Sequence, residues 1–144
     1  MSLLPRVVLD TSTLVSAALR PGSVPAQAFA RALAAYELCG SQATLAELDQ
    51  VMRRAKFDRY LPLADRLDFA ALVQRYTQLY EVPESVLQGV TACRDPKDVK
   101  FLALALISEA HVLVSSDADL LCLQPFRGVE VLTPAAFLSH EVFG

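Results

Sequence analysis

Strand and helix signals alternate along the whole chain, which predicts an α/β fold: a central, mostly parallel sheet covered by helices on both faces. Two observations carry this. The runs Val7-Val8-Leu9, Val112-Leu113-Val114 and Val129-Glu130-Val131-Leu132 are β-branched and almost continuously apolar, as strands buried on both faces are. Between them lie segments with apolar residues at three- and four-residue spacing, and two of these open at the helix-start signals Asp95-Pro96 and Thr133-Pro134.

Residues 7–9 form the first strand, and residues 11–19 a helix that Arg20-Pro21-Gly22 breaks. A second helix begins near Ser23-Val24-Pro25 and carries Phe29 and Leu33 at helical spacing through residue 35; residues 36–40 then form a short strand. Leu45, Leu48, Val51 and Met52 make the apolar stripe of the next helix, continued loosely to Phe57. In that helix Thr44-Leu45-Ala46-Glu47 matches a capping box. Pro62 opens a helix with Leu63, Leu67, Ala70, Ala71, Val73 and Leu79 as its apolar face, and residues 79–82 form a return strand before Pro83. Residues 86–94 give no clear pattern. Asp95 then caps a helix with Pro96 at its first position and Asp98 in its first turn, running to about residue 110. Residues 112–114 form a strand, residues 120–123 a helical turn, residues 129–132 the last strand, and Thr133-Pro134 starts a final helix through Leu138.

At 144 residues the chain is expected to be a single domain spanning 1–144, long enough to bury a core without disulfides. Cys39, Cys93 and Cys122 have no paired spacing and are expected to be reduced and structural. Hydrophobic residues make up 53% of the chain, yet the apolar run 101–107 is far too short for a membrane span. The start Met1-Ser2-Leu3-Leu4-Pro5-Arg6 lacks a secretory signal, so the expected location is cytoplasmic, with no membrane association.

Four carboxylates define the candidate site. In open parallel sheets, ligands bind outside the carboxyl ends of the strands, where the following helices also begin. Asp10 and Asp117 follow strands directly, and Glu47 and Asp98 fall in early helical turns, so all four can share that edge. Judged alone, each reads as a helix cap or a first-turn acid favoured by the helix dipole. Judged together, close carboxylates repel unless cations neutralise them. Oxygen-only ligands favour a hard cation, Mg2+ or Mn2+, and two-cation clamps suit in-line cleavage of a phosphate ester. Thr11, Ser12, Thr13, Ser115 and Ser116 can hydrogen-bond to the carboxylates, though capping is an equal reading; Asp95 caps its helix and Asp119 supports its turn. His111 and His140 lack ligand spacing, and Gly22, Gly40, Gly89, Gly128 and Gly144 stand singly, with no phosphate-binding loop.

The net charge of −3 argues against a strongly basic nucleic-acid surface, but removing the −4 of the four acids leaves +1 for the rest of the chain. Basic residues cluster as Arg53, Arg54, Lys56 and Arg59, and as Arg94, Lys97 and Lys100. A solvated helix face is the default for such runs, and a phosphate-contacting rim at Arg53, Arg54, Lys56, Lys97 and Lys100 is the alternative.

The ordered set Val7-Val8-Leu9-Asp10-Thr11-Ser12, Ala46-Glu47-Leu48, Arg94-Asp95-Pro96-Lys97-Asp98 with Phe101-Leu102-Ala103-Leu104-Ala105, and Val114-Ser115-Ser116-Asp117-Ala118-Asp119-Leu120-Leu121 resembles the PIN domain. With the closing Leu132-Thr133-Pro134 and Phe137-Leu138 it is most similar to the compact prokaryotic VapC-like toxins of toxin-antitoxin systems. The resemblance implies a three-layer α/β/α sandwich and a Mg2+- or Mn2+-dependent ribonuclease acting on single-stranded RNA. It also implies a homodimer with a small antitoxin partner, and a catalytic and metal-binding set of Asp10, Glu47, Asp98 and Asp117. The chain departs from the family pattern at Ser12, where Asn is common, at Lys97 and Val99, where Asp and Asn are common, and at Ser115, where Thr is usual.

Rival readings are a haloacid-dehalogenase-like phosphatase, a phosphorylated receiver domain and a catalytically silent RNA- or partner-binding module. The first needs a second Asp where Ser12 stands, and the second a late Lys, which does not follow Lys100.

Overall fold

The computed structural model describes residues 4–91 and 95–141; Cys93 and Arg94, and the first three residues of the chain, lie outside the described residues. Strand residues alternate between two cores. From β1 (Arg6–Leu9), Val7 and Leu9 enter one cluster and Val8 the opposite one; β4 (Val112–Val114) divides the same way, with Leu113 on the side of Val8. β2 (Glu37–Gly40) sends Leu38 and Cys39 to opposite sides.

Among the described residues the sheet has five strands, completed by β3 (Gln78–Leu79) and β5 (Glu130–Leu132), all parallel in the order β3-β2-β1-β4-β5. One face carries α1 (Thr11–Leu19), α2 (Val24–Ala35), α3 (Gln42–Met52), α4 (Leu63–Tyr76) and α8 (Pro134–Ser139). The other carries α5 (Glu84–Gly89), α6 (Val99–Ile107) and α7 (Ala118–Leu121). This is the expected three-layer α/β/α sandwich. Register aligns Leu9 with Val114, so β1 and β4 end side by side, where the strand order reverses direction; the ligand-binding crevice of an open parallel sheet lies at such a point.

Several local expectations are corrected. The capping box of α3 joins Ser41 to Thr44, not Thr44 to Glu47, because the helix starts at Gln42; Glu47 therefore lies in the second turn with its side chain released from capping. The stripe expected to reach Phe57 stops at Met52, and Phe57 closes a separate 3-10 turn, Ala55–Phe57, that still packs on the α3 core. On α4, Leu63 and Ala71 are exposed, and the fully buried residues are Val73 and Arg66. The return strand is shorter than residues 79–82. It pairs over Gln78–Leu79 with one further bond from Tyr80 N–H to the Gly40 carbonyl, and Leu79 is exposed at this sheet edge.

Of the stretch 86–94, which shows no clear sequence pattern, residues 86–89 belong to α5. α6 stops at Ile107 rather than near 110, since Glu109 adopts a left-handed φ of 54°. α7 starts at Ala118 because Asp117 caps it. Among the described residues, no helix is long and apolar enough to cross a membrane.

Candidate metal centre and nucleic-acid cleft

Asp10 ends β1 and caps α1 at once. Its Oδ1 accepts from Thr13 N–H at 2.9 Å and Ser12 Oγ at 3.1 Å, and its Oδ2 accepts from Ser115 Oγ at 2.5 Å. The same Ser115 hydroxyl, fully buried one residue beyond β4, accepts from Asp117 N–H at 2.9 Å. Asp117 in turn caps α7 by accepting from Asp119 N–H at 2.9 Å. The cap reading and the site reading are therefore compatible for these two acids.

Asp98 is different. Capping of its 3-10 turn, Pro96–Asp98, falls to Asp95, which accepts from Lys97 N–H at 3.0 Å, while the Asp98 side chain caps nothing. Asp98 is 9% exposed, and its Oδ2 is buried with no hydrogen-bond partner among the described residues. Burial, reinforced by a hydrogen bond to and the charge of Asp117, and then by Asp95 and Asp10, pushes the carboxyl up to about 7. Glu47 is held on both oxygens: Thr11 Oγ1 donates to Oε2, and Lys100 Nζ lies 3.0 Å from Oε1.

All four acids line one cleft of about 610 Å3 at the carboxyl edge of the sheet. Thr11, Ser12, Ser116, Asp95 and Lys97 lie on it too, as do Val51, Arg54 and Phe57. Asp119 supports the turn through its backbone. Of the basic candidates, Arg54 and Lys97 reach the cleft and Lys100 binds Glu47. Arg53 turns away to Asp49 at 2.9 Å, and Lys56 lies over the Phe57 ring, 5.2 Å from its centroid.

Sequence reasoning missed Arg66. This fully buried guanidinium donates to the Met52 and Arg54 carbonyls at 2.9 and 2.8 Å and pairs with Asp58, so it ties the end of α3 to the segment that carries Arg54 and Phe57. Its spacing of seven from buried Val73 was the available signal, but an arginine in a polar helix reads as solvated.

Among the described residues, no three His, Cys, Asp or Glu side chains stand close enough to form a ready metal-ligand group. The chemistry nevertheless fits a hard cation, because the donors are carboxylate oxygens and Asp98 has a buried oxygen without a donor beside like charges. Bringing the acids into one coordination sphere takes side-chain adjustment.

A PIN domain family model matches residues 6–119. The crystal structure of PAE2754 from Pyrobaculum aerophilum is similar at a TM-score of 0.62 and 17% identity, over 94% of this chain and 91% of that one. VapBC2 from Rickettsia felis, solved bound to a DNA fragment from their promoter, is similar at 0.59 and 13% identity, over 89% of this chain and 98% of that one. At these identities the likeness is one of fold. No curated protein matches the chain.

Proposed function

Since the chain belongs to the PIN domain family, we infer that it is a nuclease that hydrolyses phosphodiester bonds of single-stranded RNA with Mg2+ or Mn2+, acting as the toxin of a toxin-antitoxin pair. The observation that carries this reading is the meeting of Asp10, Glu47, Asp98 and Asp117 on one cleft, with a buried Asp98 oxygen left unpartnered. When bound, the cation would neutralise phosphate charge and lower the pKa of the attacking water.

The chain supplies the rest. Asp10, fixed by three donors, and Asp98 and Asp117 on neighbouring elements would hold the cation, with Glu47 as the fourth acid of the catalytic set. A carboxylate of this set would orient the water and accept its proton. Arg54 and Lys97 would contact the RNA backbone, and the Phe57 ring offers a face on which a base can stack. No side chain needs to act as a nucleophile. A small antitoxin partner, a homodimeric state and a cytoplasmic location belong to the same reading, which places the whole activity in a single domain.

The test is a cleavage assay on single-stranded RNA with the purified chain and a metal titration. Cleavage should require Mg2+ or Mn2+, stop in excess chelator and vanish in Asp10→Asn. Cleavage that survives chelator or Asp10→Asn overturns the mechanism, and RNA binding without cleavage under all metal conditions points to the silent binding module.

A further inference from the structure

The four acids are not equivalent in their hydrogen-bond accounts. Among the described residues, Glu47 alone of the four meets a cation, with Lys100 on Oε1 and Thr11 on Oε2; the three donors to Asp10 are neutral, and Asp98 keeps a buried oxygen with no partner. The Lys100 ammonium is fixed by more than one contact. It sits 3.0 Å from Glu47 Oε1 and 3.0 Å from the Lys97 carbonyl, 5.6 Å from the Phe101 ring centroid, and rises from the first turn of α6 two residues after Asp98. The pair is only 23% and 24% exposed, against 56% and 49% for the surface pair Arg53–Asp49. Solvent therefore screens it far less than that pair.

We propose that Lys100 is a built-in counter-ion for Glu47, so that the cleft takes a single divalent cation, on Asp10, Asp98 and Asp117. The inference rests on the nuclease reading and narrows its ligand set. A second cation at Glu47 would have to displace the ammonium or sit beside it, and like charges at that separation repel. Glu47 instead acts as a positioning residue: it holds the Lys100 ammonium at 3.0 Å on the first turn of α6, two residues after Asp98.

The experiment is calorimetric titration of the full chain with Mn2+ alone, alongside thermal melting in metal-free buffer to show that each variant is folded. The wild-type chain should bind one ion. Glu47→Gln should still bind one ion, weakened by about tenfold at most because the Lys100 charge is left unneutralised, while Asp98→Asn should weaken binding by about a hundredfold or more. Lys100→Met, with Lys100→Gln as a second variant, should add a second ion or tighten binding by about tenfold, through relief of charge repulsion. Two ions on the wild type, a loss in Glu47→Gln as large as that in Asp98→Asn, or unchanged number and affinity in both Lys100 variants would overturn the proposal while leaving the nuclease reading standing. A folded wild-type chain that binds no Mn2+ overturns that reading and the inference with it.

Discussion

The Ser115 hydroxyl joins the ends of two neighbouring strands. It donates to Asp10 Oδ2 at 2.5 Å and accepts from Asp117 N–H at 2.9 Å, while Asp10 N–H donates to the Val114 carbonyl at 3.1 Å. One fully buried side chain thus sets the positions of two candidate ligands.

Removing that hydroxyl should therefore cost more function than stability. Ser115→Ala is expected to lower RNA cleavage or Mn2+ affinity by roughly 10- to 100-fold, and stability by about 1 to 2 kcal/mol through two lost hydrogen bonds. Ser115→Thr keeps the hydroxyl and should stay close to wild type. Equal losses in both variants would show that side-chain volume, rather than the hydroxyl, is what matters.

Asp98 makes stability depend on pH in metal-free buffer. The folded chain keeps the Asp98 proton up to about pH 7, whereas the unfolded chain releases it near the ordinary 3.8. Between these values the folded state binds more protons, so stability should fall as pH rises from about 4 to about 7 and level off above. Asp98→Asn should flatten that dependence and be more stable than wild type at pH 8 by about 1 to 3 kcal/mol, read by denaturant melts. A variant less stable than wild type at pH 8 would instead assign the carboxylate a structural role.

Cation binding should oppose the same titration. Because Asp98 must lose its proton to act as a ligand, Mn2+ affinity should weaken by up to about tenfold per pH unit below 7 and be nearly constant above it. Calorimetry at pH 6 and pH 8 in buffers of different ionisation enthalpy would reveal the released proton; its absence at pH 6 would remove Asp98 from the ligand set.

Arg66→Met should destabilise the chain by about 3 kcal/mol, since the Met52 and Arg54 carbonyls lose a buried donor. Cleavage should drop further than folding accounts for, because the segment with Arg54 and Phe57 loses its anchor on α4. Midpoints of urea unfolding, compared with cleavage at a temperature where the variant is fully folded, separate the two effects.

Gly40 marks the close approach of β2 to the end of α4. A Cβ at this position would stand 2.5 Å from Thr77 Cγ2, and that methyl cannot easily swing away because Thr77 Oγ1 donates to the Val73 carbonyl at 2.6 Å. Gly40→Ala should cost about 1 to 3 kcal/mol, and the double variant with Thr77→Ser, which removes the methyl and keeps the hydroxyl, should recover most of it. Additive losses in the double variant would rule out the clash.

The sequence by itself determined the layers and the edge. Fully apolar β-branched runs cannot sit with one face in water, so Val7-Val8-Leu9 and Val112-Leu113-Val114 had to become central strands, and Asp10 and Asp117 had to emerge where those strands end. Asp98 was legible as a first-turn acid after the Asp95-Pro96 cap, and its choice as a candidate site acid came from the shared edge and the family resemblance. The tertiary structure alone decided what depends on contacts between distant residues. Whether Glu47 caps its own helix or faces the cleft turned on where α3 begins, a one-turn choice settled by Ser41 and Thr44. The pairing of Glu47 with Lys100 carries no periodic or local sequence signal; Ser115 was a candidate donor and Arg66 lies seven residues from Val73, but neither pattern says which partner each meets. Each joins separate elements, and only their packing fixes which charge meets which partner.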